Sequence, residues 1–153
     1  MAAISGIVQT SIGGRRGFAL DSSGDVRSRG VQVEGELGNR TNGLGYHDPE
    51  KITQLSDIIS IETSREEPGH TLALRDDGTV RARGSNTYGQ LGSGSTGGRN
   101  QTPQKIQSLS GIVMISVSEH TSFALHDDGR IFSRGRNDDG ELGYGTSASA
   151  VAL

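Results

Sequence analysis

The stretch Gly69–Gly92 reads GHTLALRDDGTVRARGSNTYGQLG. Its first half, HTLAL, has the apolar and β-favouring residues of a short strand. Asp77-Gly78 follows, a dipeptide that favours a tight hairpin turn. TVRAR then reads as a returning strand, and a glycine-rich loop closes the segment. The same order occurs on both sides of it. Arg16–Gly38 reads RGFALDSSGDVRSRGVQVEGELG, and His120–Gly143 reads HTSFALHDDGRIFSRGRNDDGELG.

Moving upstream, each copy is preceded by an alternating stretch rich in Ile and Val: IVQTSI (Ile7–Ile12), IISIET (Ile58–Thr63) and IVMISV (Ile112–Val117). That alternation predicts a half-buried strand in each. Moving downstream, PEKI, PQKI and AVAL predict a short outer strand, with proline suited to a sheet edge. The units therefore run over about residues 4–54, 55–108 and 109–153 of one repeat domain, 1–153. Three or four short antiparallel strands per unit of about 50 residues point to an all-β fold of β-propeller blades.

The composition agrees with many short strands and tight turns. Of 153 residues, 24 are glycine, while hydrophobic residues make up 31% and aromatics 4%. The net charge of −3 lacks the basic footprint of a nucleic-acid binder, and no nucleic-acid partner is expected. There is no cysteine, so disulfide and thiolate chemistry are excluded. The opening residues lack a basic, apolar leader pattern, and no run is long and apolar enough to span a bilayer. No membrane association is expected, and the compartment stays open.

The assembled pattern resembles the repeat of the regulator of chromosome condensation family. That repeat runs G-x-x-H-[ST]-L-A-L, D-G-x-[VI], then W-G-x-N-x-x-G-Q-L-G. Gly78, Val80, Gly84, Asn86, Gly89, Gln90, Leu91 and Gly92 match it in the second unit. Gly129, Ile131, Gly135, Asn137, Gly140, Leu142 and Gly143 match in the third, and Gly24, Val26, Gly30, Gly35, Leu37 and Gly38 in the first. The resemblance implies a propeller, usually of seven blades, with partner binding by rim loops. The activities found in that family include nucleotide exchange on the GTPase Ran, ultraviolet sensing and β-lactamase inhibition. Ultraviolet sensing of the plant kind needs tryptophan, and the chain has none. The family's tryptophan is Arg29, Arg83 and Arg134 here.

Three blades do not close a ring, which needs four to eight. A homodimer closing a six-bladed ring is the arrangement we expect. The alternating third strands put Arg27 with Arg29, and Arg81 with Arg83, on one face of their blades, with Arg134 in the third unit. Buried guanidinium groups need partners. Three readings of these arginines are open: ion pairing between blades with Glu34, Glu36, Asp139 or Glu141; a row presented to an anionic ligand; or tryptophan positions altered by design.

The loops Gly13–Gly17, Ser64–His70 and Ser118–Ser122 share one repeat position and should cluster at one rim. They differ in charge, which marks Arg15, Arg16, Arg65, Glu66, Glu67, His70, Glu119 and His120 as candidates for contacting a protein partner of unknown identity. The histidines show no metal-ligand spacing, and the DDG sequences read as turns. GSGSTGG (Gly92–Gly98) lacks the Lys-Ser/Thr ending of a phosphate loop. No catalytic residue, metal or cofactor is predicted. The expected function is a non-catalytic scaffold that self-associates and binds proteins. Two alternatives are an engineered or reconstructed propeller fragment whose main property is self-assembly, and an anion- or carbohydrate-binding lectin-like module.

Overall fold

The computed structural model of the chain describes residues 4–30, 37 and 49–145. All the regular structure in them is β, in three antiparallel sheets. The first contains β1 (Ile7–Gly13), β2 (Arg16–Asp21), β3 (Val26–Gly30) and β4 (Glu50–Lys51), hydrogen-bonded in that order. The second has β5 (Ile58–Thr63), β6 (His70–Arg75), β7 (Val80–Ser85) and β8 (Arg99–Lys105), again in sequence order. The third joins β9 (Ile112–Val117), β10 (Thr121–His126) and β11 (Ile131–Gly135). The expected outer strand AVAL lies outside the described residues. No helix among the described residues is long and apolar enough to cross a membrane.

Each sheet is a blade. β5 touches β1 on one side and β9 on the other across the blades, so the first strands of the sheets line the common axis. Each of these inner strands carries a bulge at the same place, at Val8, Ile59 and Val113, where the register slips by one residue. A bulge leaves its extra residue outside the ladder, and all three side chains are exposed. The hairpin turns also recur. Asp77 and Asp128, each just before its turn glycine, accept the backbone N–H two residues ahead, whereas in the first turn Asp21, three residues before Gly24, accepts from the Ser23 and Asp25 N–H groups. His126 Nδ1 lies 2.8 Å from oxygens of both Asp127 and Asp128 in the third of these turns.

The hydrophobic cores lie between blades. One joins Phe18, Leu20 and Val26 of the first blade to Leu55, Ile58, Ile61 and Ala73 of the second. The other joins Leu72, Leu74, Val80 and Ala82 to Leu109, Ile112, Ile115 and Ala124. A sheet with two packed faces needs a neighbour on each side. Short strands with Ile, Val, Leu or Ala on both faces satisfy that need only by stacking.

The blades are also bonded to one another by polar groups. The Gly24 carbonyl accepts from the Ile58 N–H at 3.1 Å, and the Gly78 carbonyl from the Ile112 N–H at 3.0 Å. The turn glycines allow this approach, because a Cβ on Gly24 or Gly78 would stand 3.0–3.1 Å from backbone of the next blade. Gln9 clamps Ile61 from both sides, donating to its carbonyl and accepting from its N–H, each at 3.0 Å.

Candidate functional site

Two regions follow from the sequence candidates: the rim where β1–β2, β5–β6 and β9–β10 turn, and the arginine positions of the third strands. At the rim, Arg15, Arg65, Glu66, Glu67 and Glu119 are exposed, and His120 is half-buried, its ring 4.9 Å from that of Tyr88. Between the loops is a depression of about 630 Å³ lined by Ile12, Glu62, Arg65, Glu66, Val117 and Glu119, among others. Partial burial pushes the Glu62 carboxyl above the usual range.

Arg16 and His70 are placed differently from the other rim candidates. Both are buried, at equivalent starts of β2 and β6, and neither reaches solvent. Arg16 donates to the Glu66 carbonyl at 3.1 Å and faces the Glu67 carboxylate at 3.6 Å. It thereby ties the first blade to the loop of the second. His70 Nε2 meets the Ser122 hydroxyl of the third blade at 2.9 Å, and that hydroxyl donates to the Gln90 carbonyl at 2.8 Å. The hydroxyl proton is thus used, so Nε2 carries the ring proton and donates. Burial, then the charges of His120 and Arg16, lower the His70 pKa to about 3.

A serine beside a histidine invites comparison with nucleophilic catalysis. There the imidazole must accept the hydroxyl proton while an acid orients the other nitrogen. Here the donation runs the other way, Nδ1 has no hydrogen-bond partner among the described residues, and both groups are buried. The pair is a link between blades. The sequence reading missed it. The repeat makes Arg16, His70 and Thr121 one position, but only the stacked fold shows that in the first two units this position meets the next blade.

The arginines divide by neighbour. Arg83 is 1% exposed and lies over the Phe18 ring of the first blade, 4.9 Å from its centroid, a cation–π arrangement. Arg134 is 3% exposed and reaches back to the second blade, donating to the Ser108 hydroxyl at 2.7 Å and the Gly92 carbonyl at 3.4 Å. Neither Arg134 bond goes to a carboxylate, and burial lowers its pKa. Of the acids suggested as partners, Asp139 and Glu141 bond within their own loop, with the Glu141 carboxylate accepting from the Asp139 N–H, and Glu34 and Glu36 lie outside the described residues. Arg27 and Arg81 are partly buried, whereas Arg29, on the outer face of the first blade, is exposed.

Among the described residues, Arg134 is therefore a buried cation bonded only to neutral groups. Replacing it with methionine keeps the apolar stem and removes the desolvation cost, so Arg134→Met is expected to leave stability within about 1 kcal/mol or raise it. Arg134→Glu buries an anion against the Gly92 carbonyl and should cost about 3 kcal/mol or more. Urea unfolding of the two variants checks this. A large loss in Arg134→Met would show that the guanidinium bonds outweigh desolvation.

Blade sheets stacked through interblade cores, with the inner strands around one axis, define this chain as a run of β-propeller blades carrying loops at one rim. The pattern of the regulator of chromosome condensation (RCC1) repeat matches residues 77–125. The chain belongs to that repeat family. It is 36% identical over 143 residues to human HERC6, named as a probable E3 ubiquitin-protein ligase, covering 91% of this chain and 14% of that protein. Yeast RCC1 (Prp20), solved bound to Kap60, superposes with a TM-score of 0.74 at 28% identity, over 86% of this chain and 30% of that one. Human WBSCR16 superposes over the whole chain with a TM-score of 0.82 at 21% identity, a likeness of fold, and 38% of it is covered. The chain thus spans well under half of each of these relatives.

Proposed function

We propose that the chain is a non-catalytic propeller scaffold that self-associates and binds a protein partner through its rim loops. The observation that carries this reading is the contrast within the three equivalent loops. Arg16 and His70 are buried and tie neighbouring blades together, whereas Arg65, Glu66 and Glu119 line one depression, with Arg15 and Glu67 exposed on the same loops. A rigid base with unlike charges on its loops suits selection of one partner by charge. Carboxylates outnumber arginines there, so a basic face on the partner fits best. The yeast relative was solved with a protein, Kap60, bound to it, which supports protein binding as the kind of function.

Reversing the rim charges tests the reading. The triple variant Arg65→Glu, Glu66→Lys, Glu119→Lys should keep its thermal midpoint, because all three side chains are exposed. Partners retained by the immobilised wild-type chain should bind the variant at least about tenfold more weakly. Undiminished binding of the same partners would place recognition elsewhere.

A further inference from the structure

Each junction between blades has two halves. The preceding blade supplies the second-strand residues of the core, the first residue of its third strand, and its turn glycine. In the junction between the second and third blades it also supplies the glycine that receives the next arginine. The following blade supplies the leucine before its inner strand, the inner strand itself and the arginine. Among the described residues, both halves occur once more, unjoined, on the two outer faces.

On the third blade, Ile131 is 64% exposed, while its equivalents Val26 and Val80 are 0% exposed. Among the described residues, a Cβ on Gly129 or Gly143 would meet nothing within 4 Å, whereas Gly24 and Gly78 abut the next blade and Gly92 holds Arg134, whose Nη1 would be 1.8 Å from a Cβ there. On the first blade, Ile4 is exposed where its equivalents Leu55 and Leu109 are buried, and Arg29 is exposed where Arg83 and Arg134 are buried.

We propose that the first blade of a second copy seats on the third blade of this chain, with Arg29 entering the open socket at Gly143 as Arg134 enters the one at Gly92. This rests on the self-association proposed above and names its surfaces. The seat continues the interface already present twice within the chain. Ile4, Ile7 and Ala19 of one copy meet Phe123, Leu125 and Ile131 of the other, and these are the repeat equivalents of Leu109, Ile112, Ala124, Leu72, Leu74 and Val80 in the core between the second and third blades. The Gly129 carbonyl receives the Ile7 N–H, as the Gly78 carbonyl receives that of Ile112. Two such contacts, related by a two-fold axis, close a ring of six blades, within the range that propellers adopt.

Sedimentation equilibrium on the full chain tests this with Arg29→Glu and Ile131→Arg, whose side chains are exposed, so that both variants should fold. The wild type is expected to be a dimer, and each variant to dissociate about tenfold to a hundredfold more readily. The contact is head-to-tail, so the two variants damage opposite halves of it. Mixed together they retain one intact junction and should associate more tightly than either alone, which a contact using the same patch on both copies would not do. A wild-type dimer indifferent to both substitutions, or a mixture no tighter than its parts, overturns this seat while leaving self-association standing. A chain monomeric at every concentration overturns both, and assigns the two faces to other blades or other proteins.

Discussion

Gly84→Ala should cost about 3 kcal/mol or more, a large share of the roughly 5–15 kcal/mol by which domains are stable. The reason is geometric. Gly84 has φ +99°, and a Cβ there would stand 2.4 Å from the Gly69 carbonyl oxygen and 2.8 Å from the His70 Cα. Both are backbone atoms, so no side-chain rotation relieves the clash. The contact is imposed by the ladder, in which Gly84 pairs with His70, the residue that bonds to the third blade. Gly30 and Gly135 repeat the arrangement, with a Cβ 2.1 Å from the Arg15 carbonyl and 2.0 Å from that of His120. The control is Gly97→Ala, where φ is +84° but no described residue lies within 4 Å of a Cβ, and the cost should be about 1 kcal/mol. Urea midpoints separate the two. Equal losses would mean that backbone conformation alone, and not the close approach, makes the glycine necessary.

Acid should weaken the fold through His70 before it reaches the carboxylates. The ring is held neutral in the folded chain, with its pKa lowered to about 3 from 6.5, chiefly by burial. The unfolded chain takes up that proton near pH 6.5 and the folded chain only near 3. Stability is therefore unaffected by His70 above about pH 6.5 and falls as pH drops toward 3, by about 1.4 kcal/mol per unit and roughly 4–5 kcal/mol in all. The aspartates whose pKa values are lowered, Asp21, Asp57, Asp77 and Asp128, add their own losses only below about pH 4, near the ordinary aspartate range. His70→Gln keeps an N–H donor toward Ser122 and removes the titration. Unfolding free energies of the variant should be flatter than those of the wild type between about pH 6 and 4.5. Parallel slopes in the two proteins would show that His70 is not the group being protonated.

Several features were legible without coordinates because they are local and repeat. The Asp-Gly and Ser-Gly turns, the alternation in Ile58–Thr63 and its copies, and the glycine after each third strand all reflect backbone needs within one blade. Repetition then identified the family and the propeller. The rim candidates were legible only as loop positions. Whether Arg16 and His70 face outward depends on which side of β2 and β6 the next blade covers, and local pattern does not state that. The same holds for Arg29, Arg83 and Arg134, which the sequence makes equivalent and the fold does not.

By itself, the sequence determined the repeating unit, its strand order and its turns, since each is set by residues within reach of one another along the chain. Tertiary structure decided which face of each blade is covered, and with it the fate of each arginine. Arg83 and Arg134 have a preceding blade to receive them, in the Phe18 ring and in the Gly92 carbonyl with the Ser108 hydroxyl. Arg29 has none among the described residues and is exposed. The physical reason is that burial of a charge is a property of the neighbour that removes its water, and that neighbour is some fifty residues away or on another molecule.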